Sequence, residues 1–267
     1  MTSVYERWQQ QYTNKQSGID WWNSMAADFA DHEPPTSKNS LAMRIIEREN
    51  LLRPGFKVLD VGCGTGRYSI ALAQKGASVT GTDISPKMIE LAEKAAVGIP
   101  SVRFSCDDWH TLELKDKGWY RQFDLVLANM TPAIADAKTF SKLSDASRRW
   151  CVFAKPSRRV NSVLDPLHEI SGAPRDTKSL DEAIVFAFEL LWKRGYSPKI
   201  EYMPETWHNK KPLKAAILQY TKRIESYKEL NEEQKIQIKK YLTGLADRDG
   251  FIEETTKTTI VALYWSV

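Results

Sequence analysis

The stretch Lys57–Ala73, KVLDVGCGTGRYSIALA, begins as an apolar run, breaks at Gly62, Gly64 and Gly66, and resumes with apolar residues at helical spacing. A strand, a tight glycine turn and a helix N-terminus make a nucleotide-cofactor site, because small residues let backbone N–H groups and the helix dipole approach a ligand. Two nucleotide classes are set aside by residues this turn lacks. A GxGxxG fingerprint begun at Gly62 needs a third glycine where Arg67 stands, and a GxxxxGK[ST] phosphate loop needs an absent lysine. Asp60 instead stands just before the first glycine. A carboxylate there repels a pyrophosphate and favours a cationic amino acid moiety.

Working outward, five short apolar runs punctuate the first 155 residues: Lys57–Val61, Ser78–Gly81, Val102–Cys106, Phe123–Ala128 and Trp150–Ala154. Helical patterns lie between several of them, at Arg67–Lys75 and at Ser85–Ala96, where Ser85-Pro86 supplies a cap and a proline at the first helical position. Alternation of strand and helix implies a parallel sheet covered on both faces, a doubly wound α/β core. Further on, Ser179–Arg194 reads as an amphipathic helix, Lys199–Tyr202 and Thr258–Trp265 as strands, and Pro212–Ser226 and Asn231–Leu245 as an inserted helix pair. Upstream, Ile19–Ala30 is an aromatic-rich helix ending at a Pro34-Pro35 breaker, followed by a helix over Ser40–Asn50.

The 267-residue chain is 42% hydrophobic and 27% charged, an ordinary globular composition. No apolar run approaches the roughly 18–20 residues of a membrane span. The opening MTSVYERWQQQY carries no secretory or lipidation pattern, so a cytoplasmic location is the expectation. Cys63, Cys106 and Cys151 are widely spaced and odd in number, which favours reduced thiols, and no metal-ligand cluster of CxxC or HExxH type occurs. A net charge of +4 permits attraction to anions without requiring it.

The glycine segment resembles the first motif of the class I S-adenosylmethionine-dependent methyltransferases, and the resemblance continues in family order over roughly residues 40–155. It implies a mostly parallel, Rossmann-like sheet of seven strands and S-adenosylmethionine as co-substrate. Asp60, Gly62, Cys63, Gly64 and Gly66 then belong to the cofactor-binding residues. Asp83, in Gly81-Thr82-Asp83-Ile84-Ser85, matches the acidic residue that accepts hydrogen bonds from the ribose hydroxyls, with Ile84 and Met88 beside it. Asp107, Asp108 and Trp109 fall where the family binds adenine, and Asp108 fits the spacing better than Asp107. Asn129 ends the fourth strand beside the methyl group. The following Met130-Thr131-Pro132 departs from the Asn/Asp-Pro-Pro-aromatic tetrad of members that act on planar amino groups, so no such specificity carries over.

The expected organisation is an N-terminal helical lid over residues 1–36 and a core over 37–267, with a helical insertion at about 207–247. Trp22, Met130, Thr131 and Trp207 are candidate acceptor contacts. His110 and His208 are candidate general bases, although methyl transfer from a sulfonium needs no obligatory catalytic residue. The expected function is methyl transfer to an O, N, C or S atom of a small molecule or cofactor precursor, without a metal. Two alternatives stand beside it. One is an RNA or protein methyltransferase using Arg148, Arg149, Arg158, Arg159 and the lysines of Lys210–Lys240, although no RNA-binding module is recognisable. The other is a non-catalytic S-adenosylmethionine-binding protein.

Overall fold

The computed structural model describes residues 3–9, 15–30, 32–174, 177–225 and 227–267. In chain order its elements are α1 (Val4–Arg7), α2 (Lys15–Ala30), α3 (Leu41–Arg48), β1 (Lys57–Val61), α4 (Arg67–Gln74), β2 (Ser78–Asp83), α5 (Pro86–Ala95), β3 (Val102–Cys106) and β4 (Phe123–Asn129). There follow α6 (Ala137–Ala146), β5 (Ser147–Asn161), α7 (Leu164–Ser171), α8 (Thr177–Lys193), β6 (Lys199–Pro212), α9 (Leu213–Glu225), α10 (Glu232–Leu245) and β7 (Phe251–Ser266). Helix starts carry their signals in the sequence: Ser40, Ser85, Asp136 and Asn231 each accept a backbone N–H of the first turn, satisfying a donor that the helix leaves open.

The strands form one sheet in the order β3-β2-β1-β4-β5-β7-β6. Pairings β2–β3, β1–β2, β1–β4 and β4–β5 are parallel, as the alternation of strands and helices requires. The chain runs outward from β1 to β3, then resumes on the other side at β4. That reversal opens a crevice beyond the carboxyl ends of β1 and β4, the place where open α/β sheets bind ligands.

The chain divides into two units, one of Met1–Lys155, Glu182–Tyr202 and Val261–Val267, the other of Pro156–Asp181 and Met203–Ile260. The core of the first packs Leu59, Val61, Val126, Phe140, Phe153, Leu263 and Trp265, with Phe140 and Phe153 edge-on at 5.2 Å. The second has its own core of Val163, Leu167, Ala216, Ile224, Ile238, Leu242 and Ile252.

Three strands outrun their apolar signal. β5 continues beyond Ala154 to Asn161, β7 begins at Phe251 rather than Thr258, and β6 continues from Tyr202 to Pro212. Residues 207–212 of the expected helical insertion are therefore strand, and the helix pair starts at Leu213. The extensions carry Ser157, Arg159, Asn161, Glu254 and Thr256, which break the run of apolar residues that marks a buried strand. Helix α6 escapes apolar-period reading because Thr139, Ser141, Lys142 and Ser144 are all among its buried residues.

Candidate active site at the glycine turn

The glycine turn leaves β1 with Gly62 and Cys63 both donating to the Thr82 carbonyl, at 2.8 and 3.0 Å. Gly62 has φ +67°, and a Cβ built on it would lie 1.9 Å from Thr131 Oγ1. Only glycine meets both demands, the left-handed backbone and the missing side chain. Gly66 caps α4 at φ +79° and lies against Phe104 and Ala92. The loop is thus pressed onto the end of β4 at one glycine and onto α5 and β3 at the other.

Two carboxylates hold this turn. Asp60 is buried and accepts from Ser69 Oγ at 2.7 Å; burial, with repulsion from Asp83, pushes its pKa up to about 6. Asp83 accepts from Gly64 N at 3.0 Å through one oxygen and from Ser85 N at 2.9 Å through the other. Burial raises its pKa against those hydrogen bonds. It therefore braces the glycine turn and the start of α5 while each oxygen keeps lone-pair capacity for a ligand. The buried Cys63 thiol is pushed well above its usual pKa by burial, so it stays protonated. Met88 is buried, with its sulfur 3.9 Å from the Cβ position of Gly64, and Ile84 is half-buried beside Asp83. Cys106, opposite Asp83 in the β2–β3 register, is the exposed thiol and donates to the Ile84 carbonyl at 3.8 Å.

The loop after β3 is tied down tightly. Asp107 pairs with Lys117 at 2.7 Å and accepts from Ser105 Oγ; Asp108 accepts from its own turn, His110 N at 3.0 Å and Thr111 Oγ1 at 3.2 Å. Trp109 is only 3% exposed and donates its indole N–H to the Thr139 carbonyl, so the structure places it in the core rather than in an open pocket. Buried Lys142 closes the loop from behind, donating to the Trp109 and Leu112 carbonyls at 2.5 Å each. Asp107, Asp108, Thr111, Leu112 and Lys117 line a recess of about 340 Å³ on the open side.

At the end of β4, half-buried Asn129 is followed by Met130 at φ +56°, an unusual backbone for a non-glycine residue and one that recurs at functional sites. Thr131 is 5% exposed, packed on Gly62 and accepting from Ala133 N at 3.1 Å, so its hydroxyl serves the loop. Tyr68, which the sequence reading passed over, sits on the first turn of α4 with its hydroxyl 2.9 Å from Ser40 Oγ and beside Asn129. Burial raises its pKa, making it a donor rather than a base.

Helix α2 and the segment after it are fastened to the glycine turn, the first turn of α4 and the start of α5. Thr65 Oγ1 donates to the Phe29 carbonyl at 3.5 Å, Arg67 Nε donates to the Glu33 carbonyl at 3.1 Å, and Asn23 Oδ1 accepts from Ser85 Oγ at 2.7 Å. Trp22 is half-buried, 6.0 Å from the Phe29 ring. Trp207 and His208 belong to the second unit, where Trp207 faces Arg159 and His208 Nδ1 lies 3.3 Å from Thr255 Oγ1. Among the described residues no group of histidine, cysteine and acidic side chains is arranged to hold a metal.

Residues 58–151 match a family described as Methyltransferase domain. A 23S rRNA (uracil(1939)-C(5))-methyltransferase of Shewanella sediminis is 31% identical over 163 residues, covering 59% of this chain and 31% of its own. A ubiquinone biosynthesis O-methyltransferase of Coxiella burnetii is 36% identical over 108 residues, covering 40% of this chain and 42% of its own. The chain thus spans about a third to two-fifths of the length of these curated relatives. Phosphoethanolamine N-methyltransferase 2 of Haemonchus contortus, solved with S-adenosyl-L-methionine, shares the fold with a TM-score of 0.53 at 16% identity, over 100% of this chain and 60% of its own. The β1 glycine turn, the acidic ends of β1 and β2 and the strand order agree with the domain match, and residues 58–151 carry a methyltransferase domain.

Proposed function

We propose that this chain transfers a methyl group from S-adenosylmethionine to a small-molecule acceptor, acting through positioning and exclusion of water. The observation that carries this reading is the fastening of α2 to the glycine turn through Thr65 and to the start of α5 through Asn23, with Arg67 holding the segment after the helix at Glu33, which gives the cofactor crevice a wall of its own. The residues fit the cofactor. Gly62 and Gly64 leave backbone where a side chain would block approach, Asp60 suits a cationic amino group, and Asp83 retains acceptor capacity for a pair of hydroxyls.

When bound, S-adenosylmethionine supplies a methyl carbon already activated by its sulfonium charge. The chain's part is to hold the acceptor about 3 Å from that carbon and keep water away. Asn129 and the strained Met130 border the reacting end, and Tyr68 offers a hydroxyl donor beside Asn129. Neither His110, in the turn capped by Asp108, nor His208, in the second unit, is assigned a proton-transfer role in this reading.

The 31% identity to an rRNA methyltransferase over 163 residues favours a second reading, an RNA acceptor. Against it, Arg148 and Arg149, expected to present charge to an anionic partner, are both committed to Asp124 at 2.9 and 3.0 Å. The two readings separate in one experiment. Purified protein is assayed for S-adenosylhomocysteine release against metabolite and RNA pools, and RNA affinity is followed against salt. Turnover on metabolites with RNA binding lost at moderate salt is expected; submicromolar, salt-resistant binding of a folded RNA with turnover transfers the assignment to RNA. Cofactor binding without turnover on any acceptor leaves the non-catalytic alternative.

A further inference from the structure

In the second unit, the strand extensions bring together a layer of polar side chains that the methyl-transfer reading does not use. Arg159 of β5 lies with its guanidinium over the Trp207 ring of β6, 5.6 Å from the ring centre. Its Nε–H is buried and, among the described residues, has no hydrogen-bond partner. The neighbouring acids are already engaged. Glu254 accepts from Asn161 Nδ2 and lies 3.9 Å from Lys211 Nζ, Asp165 accepts from Asn161 N at 3.0 Å, and Glu205 accepts from the Trp207 indole N–H. Lys211 also donates to Gln219 Oε1 at 3.1 Å and lies 4.9 Å over the Tyr220 ring. The Tyr220 hydroxyl is buried beside Glu254, and burial together with that carboxylate raises its pKa.

A guanidinium keeps its charge in any protein setting, and five N–H donors in a rigid fork match a carboxylate or phosphate edge-on. Burial and the positive charge of Arg223 work against the charged form of Arg159, while the carboxylates of Glu254 and Asp165, each already hydrogen-bonded elsewhere, favour it. Trp207 occupies the face of the guanidinium, which leaves the edge for recognition. An arginine kept only to stack on an indole needs neither a buried, unanswered Nε–H nor a second cation nearby.

We propose that Arg159, supported by Trp207, forms an oxyanion-binding site in the second unit that takes a carboxylate or phosphate group of a small molecule. The test uses the full chain and the Nε–H resonance of Arg159 in nitrogen-15 spectra, assigned in the wild type by through-bond correlation to its own side chain. Sodium benzoate and potassium phosphate are titrated separately, each against sodium chloride at matched ionic strength. Saturable movement of that resonance by one anion, weakened tenfold or more when binding is followed calorimetrically in Arg159→Lys, is expected; benzoate alone identifies a carboxylate and phosphate alone a phosphate. If neither anion moves the wild-type resonance beyond the chloride control, or if a folded Arg159→Lys protein binds as the wild type does, the site is overturned. The wild-type titration decides even where the variant fails to fold, and S-adenosylhomocysteine binding, measured in parallel, reads the glycine-turn site separately.

Discussion

Gly62 carries two constraints that a substitution would meet at once. Gly62→Ala places a side chain 1.9 Å from Thr131 Oγ1 on a backbone at φ +67°, so a loss of about 2 kcal/mol or more in unfolding free energy is expected by denaturant titration. Thr131→Gly in the same chain should return only the steric part and leave about 1–2 kcal/mol of backbone cost. Asp83→Ala removes partners from Gly64 N and Ser85 N, so calorimetry should show S-adenosylhomocysteine affinity falling by about 1.5–3 kcal/mol together with a lower melting temperature. Unchanged affinity would remove Asp83 from the ligand site. Asp60 gives a pH signature. Its folded pKa of about 6 lies above the ordinary 3.8, so the native ligand-free protein holds this proton more tightly than the unfolded chain. Its contribution of up to about 3 kcal/mol is full below pH 4 and lost by the time the pH has risen past 6. Asp60→Asn should flatten that slope. A cation bound beside Asp60 favours the carboxylate, so S-adenosylmethionine affinity should rise with pH through 6 and then level off; a pH-independent affinity would separate Asp60 from the amino group.

At the scale of elements, α2 packs against α5 and is bonded to its start through Asn23 and to the glycine turn through Phe29. Asn23→Ala removes the acceptor for Ser85 Oγ and Lys87 N and should cost about 1 kcal/mol of protection in α2 amides by hydrogen exchange. Removing Met1–Asp31 should leave S-adenosylhomocysteine binding in place and lower turnover tenfold or more, through lost desolvation and positioning. Normal turnover by the truncated chain would reduce α2 to scaffolding. The glycine turn and the starts of α5 and α10 were legible because their chemistry is local: glycines where φ is positive, Ser85-Pro86 and Asn231 where donors are open. The β5 extension and α6 were not legible, because their buried faces carry Arg159, Asn161, Thr139 and Lys142, whose burial depends on partners distant in sequence. Trp109 shows the same dependence: the resemblance puts it at the adenine end, and its indole N–H donates to the Thr139 carbonyl thirty residues away.

On the scale of the whole molecule, each unit buries its own set of apolar side chains, and a core defect should register first where it is made. Ile238→Ala, at a fully buried position of the second unit, should cost about 2–5 kcal/mol. Hydrogen exchange should show α7, α9 and α10 losing protection before β1 and β4. Equal loss in both sets would mean that the chain opens as one cooperative body.

The arrangement of the three thiols makes a built-in reporter. Cys63 and Cys151 are buried with pKa values pushed up by burial, while Cys106 is exposed, so a maleimide dye should attach to one site per chain without any engineered residue. Burial and the nearby carboxylates of Asp83 and Asp107 raise the Cys106 pKa too, so labelling should be slow at neutral pH and quicken in mild alkali. Because Cys106 stands directly across from Asp83 on the neighbouring strand, the attached fluorophore should report cofactor occupancy as a change in its emission.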